Sequence, residues 1–169
     1  VTRDLAEKAN RIFGPIFTVP QPSIVSEVAT VVGLDGQKMS KSYNNTIGLF
    51  EDEKVLRKKI MSIVTDSAAV DQPKDPETSS IVALYKLCAT SEDVTLMENQ
   101  FRAGGLGYGE FKKRLFEALW NRFAPFREKR AALASDPATL ESILVDGAAR
   151  ARAVALPTMD RVRKAMGLR

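Results

Sequence analysis

The 169 residues contain no histidine, and that absence removes more chemistry than any other feature of the chain. Cys88 is the lone cysteine, and no imidazole exists to take its proton. It therefore reads as a small buried apolar residue within the run Ile81 to Ala89 rather than as a nucleophile. One thiol closes no disulfide within the chain, which fits a reducing cytoplasm, the expected compartment. With one cysteine, no histidine and no clustered carboxylate spacing, no metal ligands are expected. No apolar run approaches the roughly 20 residues of a membrane span. Val1-Thr2-Arg3-Asp4 leads straight into a helical pattern, so no signal peptide is expected. Internal repeats and low-complexity stretches are missing as well.

What is present belongs to a globular chain: 44% hydrophobic residues with 27% charged, enough for one medium domain or two small ones. Net charge is +4 but uneven. Residues 1–110 hold 12 basic and 15 acidic side chains, a net of −3, whereas residues 111–169 hold 13 and 6, a net of +7. A positive carboxyl-terminal segment fits a phosphate backbone, an acidic protein partner, or an ordinary solvated helical face.

Apolar spacing sets out the elements. Leu5, Ala9, Ile12 and Phe13 form one stripe of a helix from Arg3 to about Phe13, which Thr2 can cap and Gly14-Pro15 ends. Ile16 to Val19 and Val28 to Leu34 read as two short strands. Beyond residue 50 the pattern is helical. One helix follows Glu51-Asp52-Glu53 and ends at Thr65-Asp66-Ser67. Another starts at Ser79 or Ser80 and runs to about Ala89, and a third runs from Ser91 to about Arg102. Residues 68–78, with Pro73 and Pro76, read as a loop. The glycine cluster Gly104 to Gly109 has no preceding strand and no lysine-threonine ending, so it reads as a helix-to-helix turn rather than a phosphate loop. Glu110 to about Leu133 gives the longest pattern; its aromatic residues repeat at core spacing, and Pro125 should kink or divide it. Asp136-Pro137 opens the last helical region, where Pro157 interrupts the stripe.

The chemistry concentrates in Lys38-Met39-Ser40-Lys41-Ser42, directly after the turn Gly33 to Gly36. Two ammonium groups three positions apart can reach one cluster of phosphate oxygens. Their charge counts most where negative charge grows, on a leaving pyrophosphate. The order helix, strand, strand, loop resembles the closing portion of a nucleotide-binding α/β domain, where ligands sit in loops at strand ends.

The string KMSKS is the signature of class I aminoacyl-tRNA synthetases. Nearly the whole chain resembles the bacterial tryptophanyl-tRNA synthetase family, through Thr2 to Glu7, Gly33 to Ser42, Lys58 to Ser67, Gly107 to Lys112 and Arg163 to Leu168. The corresponding half of tyrosyl-tRNA synthetase is the nearest alternative. The family's HIGH-type motif is missing, so the resemblance is to a carboxyl-terminal half. It implies a mainly α fold. Residues 1–50 would close a Rossmann-type catalytic domain and carry the lysine loop, and residues 51–169 would form an α-helical anticodon-binding domain. It implies tryptophan–tRNA ligase activity in the full-length parent, with ATP (carrying Mg2+) and tryptophan as substrates, tRNA(Trp) as partner and a homodimer as assembly. Lys38 and Lys41 would act in catalysis by holding the triphosphate. Met39, Ser40 and Ser42 would shape the loop and supply backbone donors, and Val31 would offer its backbone to adenine. This half alone is expected to be inactive, and a tRNA-binding module without catalysis is the alternative from another class.

Overall fold

Seven α-helices carry the computed structural model, which describes residues 1–25 and 28–168. They are α1 (Thr2–Phe13), α2 (Glu53–Met61), α3 (Ser80–Tyr85), α4 (Ser91–Ala103), α5 (Tyr108–Arg122), α6 (Ala124–Ser135) and α7 (Pro137–Ala165). The mainly α expectation holds. The chain divides into two units: Val25–Lys129, and Val1–Ile24 together with Arg130–Arg169.

In the unit Val25–Lys129, α5 is the central element, packing against α2 and α3, while α3 also meets α4. Its inward residues Phe111, Leu115, Phe116 and Leu119 are buried. They meet Leu56 and Ile60 of α2, Ile81 and Leu84 of α3, and Met97 and Phe101 of α4. Burial of each such side chain is worth about 1.5–3 kcal/mol, which makes this aromatic-aliphatic layer the main support of the unit. Phe101 lies 4.1 Å from Phe111 between ring centres and meets the Tyr108 ring edge-on at 6.1 Å. Of the aromatic residues read from spacing as core, Phe111 and Phe116 are buried in it, Trp120 and Phe123 are half-buried against it, and Phe126 is 55% exposed.

Local signals explain most boundaries. Thr90 caps α4, its hydroxyl accepting from the Asp93 amide at 3.2 Å and donating to the Asp93 carboxylate at 2.7 Å. The glycine cluster is the expected turn, with Gly104 at φ +72°. A Cβ on Gly104 would stand 2.5 Å from the Asp71 carbonyl oxygen, so only glycine fits. The long pattern from Glu110 divides at Phe123 into α5 and α6. Pro125 then falls in the first turn of α6, where its missing N–H costs nothing. Within loop 68–78, Lys74 is only 4% exposed, and its ammonium donates to the carbonyls of Ala69, Val70 and Gln72 at 2.9–3.2 Å.

Several expectations are corrected. Ile16–Val19 and Val28–Leu34 form no ladder; among the described residues the only pairing is an isolated antiparallel bridge between Val32 and Lys38. β-Branched composition favours extended backbone, but a strand also needs a neighbour to bond. The Asn10 side chain meets part of that need instead, accepting from the amides of Ile16 and Phe17 and donating to the Phe17 carbonyl. Thr2 is the first residue of α1, not its cap. The α1 stripe is largely uncovered by the described residues, with Leu5 63% and Ile12 60% exposed. α2 stops at Met61, where Ser62 takes its last bonds, and α3 stops at Tyr85.

In the other unit Asp136 caps α7 by accepting from the Thr139 amide, with Pro137 directly after it. α7 continues through Pro157, which breaks the apolar stripe without ending the helix. Among the described residues no helix is long and apolar enough to cross a membrane.

Candidate functional site

The lysine loop is assembled by backbone bonds before any side chain contributes. The Met39 amide donates to the Val31 carbonyl at 2.8 Å, Val32 pairs with Lys38, and the Gly33 amide donates to the Gln37 carbonyl at 2.7 Å. Gly36 takes φ +80° to close the turn, and the Asp35 carboxylate accepts from the Gln37 amide at 3.0 Å. Ser40 then caps a 3-10 turn, Lys41–Tyr43, its hydroxyl accepting from the Ser42 amide at 3.3 Å. Asn44 ends this turn at φ +53°, a conformation asparagine tolerates better than most residues.

This geometry sorts the five motif residues by role. Lys38 and Lys41 are exposed, and neither ammonium has a hydrogen-bond or ion-pair partner among the described residues. Met39 points the other way. With Val31 it lines an apolar hollow of about 250 Å³, shared with Ile47, Leu84, Leu119 and Phe123. The motif thus alternates a solvent-facing cation, an apolar anchor, a capping hydroxyl and a second cation. Val31, half-buried, carries the first strap of the loop through its carbonyl.

Asn45, which the sequence reading did not single out, holds the loop from beneath. It is 3% exposed. Its Oδ1 accepts from the Ser40 amide at 2.8 Å, while its Nδ2 donates to Asp35 Oδ1 at 2.8 Å and to the Lys38 carbonyl at 3.2 Å. The Asn45 bond, followed by the backbone of Gln37, holds the Asp35 carboxyl below its ordinary range. A Cβ on Gly33 would lie 2.4 Å from the Asn45 amide carbon, so Gly33 makes room for that side chain. The available signals were the polar run Asn44-Asn45-Thr46 behind the motif and a glycine ahead of it.

The helices brace the loop from outside. Lys59 of α2 donates to the Thr46 carbonyl at 3.1 Å and pairs with Glu51 at 2.6 Å. The Val64 amide donates to the Leu34 carbonyl at 2.9 Å. Lys112 of α5 fixes that segment by donating to the carbonyls of Met61 and Ile63 at 3.1 and 2.7 Å.

Other candidate chemistry is absent from the site. Burial pushes the Cys88 thiol up to about 11, and its sulfur faces the carbonyls of Leu84 and Tyr85. Among the described residues no three His, Cys, Asp or Glu side chains are grouped to hold a metal ion. The arrangement can therefore offer a pair of cations on a pinned loop to a polyanion, but no thiolate attack; the amides of Met39, Ser40 and Ser42, expected as backbone donors, are taken up within the loop by the Val31 carbonyl, Asn45 Oδ1 and the Ser40 hydroxyl.

The family profile described as tRNA synthetases class I (W and Y) matches residues 1–124, and this chain belongs to that family. A tryptophan–tRNA ligase of Rhodopirellula baltica is 48% identical over all of this chain and 53% of its own length. One of Pseudomonas aeruginosa is 43% identical over all of this chain and 38% of its own. The crystal structure of tryptophanyl-tRNA synthetase from Campylobacter jejuni complexed with ADP and tryptophan is similar over 98% of this chain and 52% of that one. Its TM-score is 0.79 at 44% identity. The enzyme from Mycoplasma pneumoniae, 23% identical with a TM-score of 0.75, shares the fold. The chain spans about half the length of the Rhodopirellula relative, and the matched segment is the carboxyl-terminal part of these ligases.

Proposed function

We propose that this chain works as the carboxyl-terminal half of a tryptophan–tRNA ligase, presenting the ATP-gripping loop and a helical tRNA reader. In the whole enzyme the tryptophan carboxylate attacks the α-phosphate of magnesium-ATP. The bond to the β-phosphate breaks, and tryptophanyl adenylate and pyrophosphate result. The acyl group then passes to the 3′-terminal adenosine of tRNA(Trp), and AMP leaves. Neither step needs a covalent protein nucleophile, which suits a chain whose only thiol is held protonated.

The observation that carries this reading is the pair of exposed lysines, without partners among the described residues, on a pinned loop in a chain similar to tryptophan–tRNA ligases from end to end. Lys38 and Lys41 hold the triphosphate, and Lys41 acts most as charge builds on the departing pyrophosphate. Ser40 and Ser42 shape the loop, their amides being spent on Asn45 and on the Ser40 hydroxyl, Met39 anchors it on the helical core, and the backbone at Val31 meets adenine. Residues 1–50 close the catalytic domain, residues 51–169 read the anticodon, and the whole enzyme works as a cytoplasmic homodimer. The test is tryptophan-dependent ATP–pyrophosphate exchange by the full-length enzyme. Lys41→Ala is expected to slow it by on the order of 10²–10³. An unchanged rate would remove the loop from the chemistry.

A second reading, a tRNA-binding module that catalyses nothing by itself, draws on the +7 charge of residues 111–169. Titration of the isolated chain with tRNA at two salt concentrations addresses it. Phosphate contacts require affinity to fall steeply as salt rises. Absent or salt-indifferent binding counts against it.

A further inference from the structure

We infer that Asn45 is a positioning residue for adenylate formation, fixing both lysines through the backbone that bears them; the inference rests on the ligase reading above.

The amide works at two points of one short segment. It donates to the carbonyl of Lys38 and accepts from the amide of Ser40, the residue before Lys41. The two phosphate-gripping positions are therefore tied to one buried side chain, 3% exposed, on opposite sides of Met39. Its orientation is not free. Asp35 Oδ1 lies 2.8 Å away and, as a carboxylate, can only accept, so Nδ2 must face it and Oδ1 must face Ser40. Asp35 in turn accepts from the Gln37 amide, locking the turn that leads into Lys38. The Asn45 backbone carbonyl accepts from the Leu34 amide at 3.0 Å, so the residue is anchored from both ends. Gly33 supplies the space, since any side chain there would overlap the amide.

The consequence is specific to rate. Lys38 and Lys41 side chains are exposed, on long unbranched stems. Only one spacing of their backbones presents both charges to the pyrophosphate as it departs. Misplacement of a positioned group by about 1 Å costs on the order of 100-fold in rate. Asn45 therefore acts on kcat, through the lysines, and touches no substrate.

Asn45→Asp is the informative change. It is isosteric and keeps an acceptor for the Ser40 amide, but turns a carboxylate oxygen toward Asp35 Oδ1 and the Lys38 carbonyl, where a donor is required. In tryptophan-dependent pyrophosphate exchange by the full-length enzyme, assayed well below the variant's lowered thermal midpoint, kcat is expected to fall roughly 30- to 100-fold, with KM for tryptophan within about twofold. Asn45→Ala removes the donor to the Lys38 carbonyl and the acceptor for the Ser40 amide without adding a charge, and is expected to lower kcat to a similar extent, again with little change in KM for tryptophan. A kcat within about threefold of the parent in Asn45→Asp overturns the inference. So does an Asn45→Ala variant that keeps its kcat to within about threefold. If Asn45→Asp does not fold, Asn45→Ala decides alone: a larger fall in kcat supports the role, and a smaller one overturns it. Lys41→Ala is run in parallel. If that variant keeps full rate, the ligase reading itself falls; if it loses rate while Asn45→Asp does not, only the role of Asn45 falls.

Discussion

Replacing Lys112 by methionine removes a buried ammonium while keeping most of its volume. Lys112 is 9% exposed and donates to the carbonyls of Met61 and Ile63, the latter residue buried in the core. Hydrogen bonds from charged donors are worth about 1.5–3 kcal/mol, and a buried carbonyl left without a donor carries its full desolvation cost. Met61 is 41% exposed, so water can replace one of the two bonds; the Ile63 bond cannot be replaced so easily. Release of the buried charge offsets part of the loss. The net expectation is about 1–3 kcal/mol of destabilisation, or roughly 3–10 °C in Tm for a chain of this size. Urea unfolding of the chain should show a lower midpoint with an unchanged slope. The pH dependence has a definite sign. Burial pushes the Lys112 pKa down from its ordinary 10.5, so between the lowered value and 10.5 the unfolded chain binds the extra proton. The wild type gains stability as pH rises through that window, and the deficit of Lys112→Met should widen there. A methionine variant as stable as the wild type, or a deficit that narrows with rising pH, would refute the assignment of Lys112 as the clasp between α2 and α5.

Two further expectations follow from the loops. Gly104→Ala places a Cβ against the Asp71 carbonyl at a left-handed backbone position, and should cost more than about 1 kcal/mol in urea unfolding. Tyr108→Phe removes the phenol that donates to Asp66 Oδ1 at 2.8 Å. The Ala68 amide first, and that phenol second, hold the Asp66 carboxyl below its ordinary value of 3.8. Their contribution is present above 3.8 and lost as pH falls through the lowered value. The stability gap between wild type and Tyr108→Phe should therefore close on acidification below 3.8. At the alkaline end burial, aided by Asp66, pushes Tyr108 up to about 12, so the wild type should lose stability between 10 and 12 where the variant does not.

The loop was legible because its information is local. Gly36, the paired lysines and the capping serine act within a few residues of themselves, and the structure keeps them where the spacing puts them. The α-helical core was legible for the same reason, since the period of Phe111, Leu115 and Leu119 survives whatever packs against it. Asn45 was not, because its role depends on three partners at separations of five, seven and ten residues. Lys74 and Lys112 were hidden by a sound general rule: lysines are almost never buried, and only tertiary structure reveals carbonyls collected around them. The two anticipated strands failed on pairing, which composition does not encode.

The most direct test separates ground-state grip from transition-state charge at Lys41. In single-turnover experiments with the full-length enzyme, ATP affinity and the rate of tryptophanyl-adenylate formation are measured for wild type and Lys41→Ala. The account predicts that Kd for ATP changes by less than about tenfold while the rate falls by on the order of 10²–10³. Equal losses in affinity and rate, or no loss in either, would contradict it.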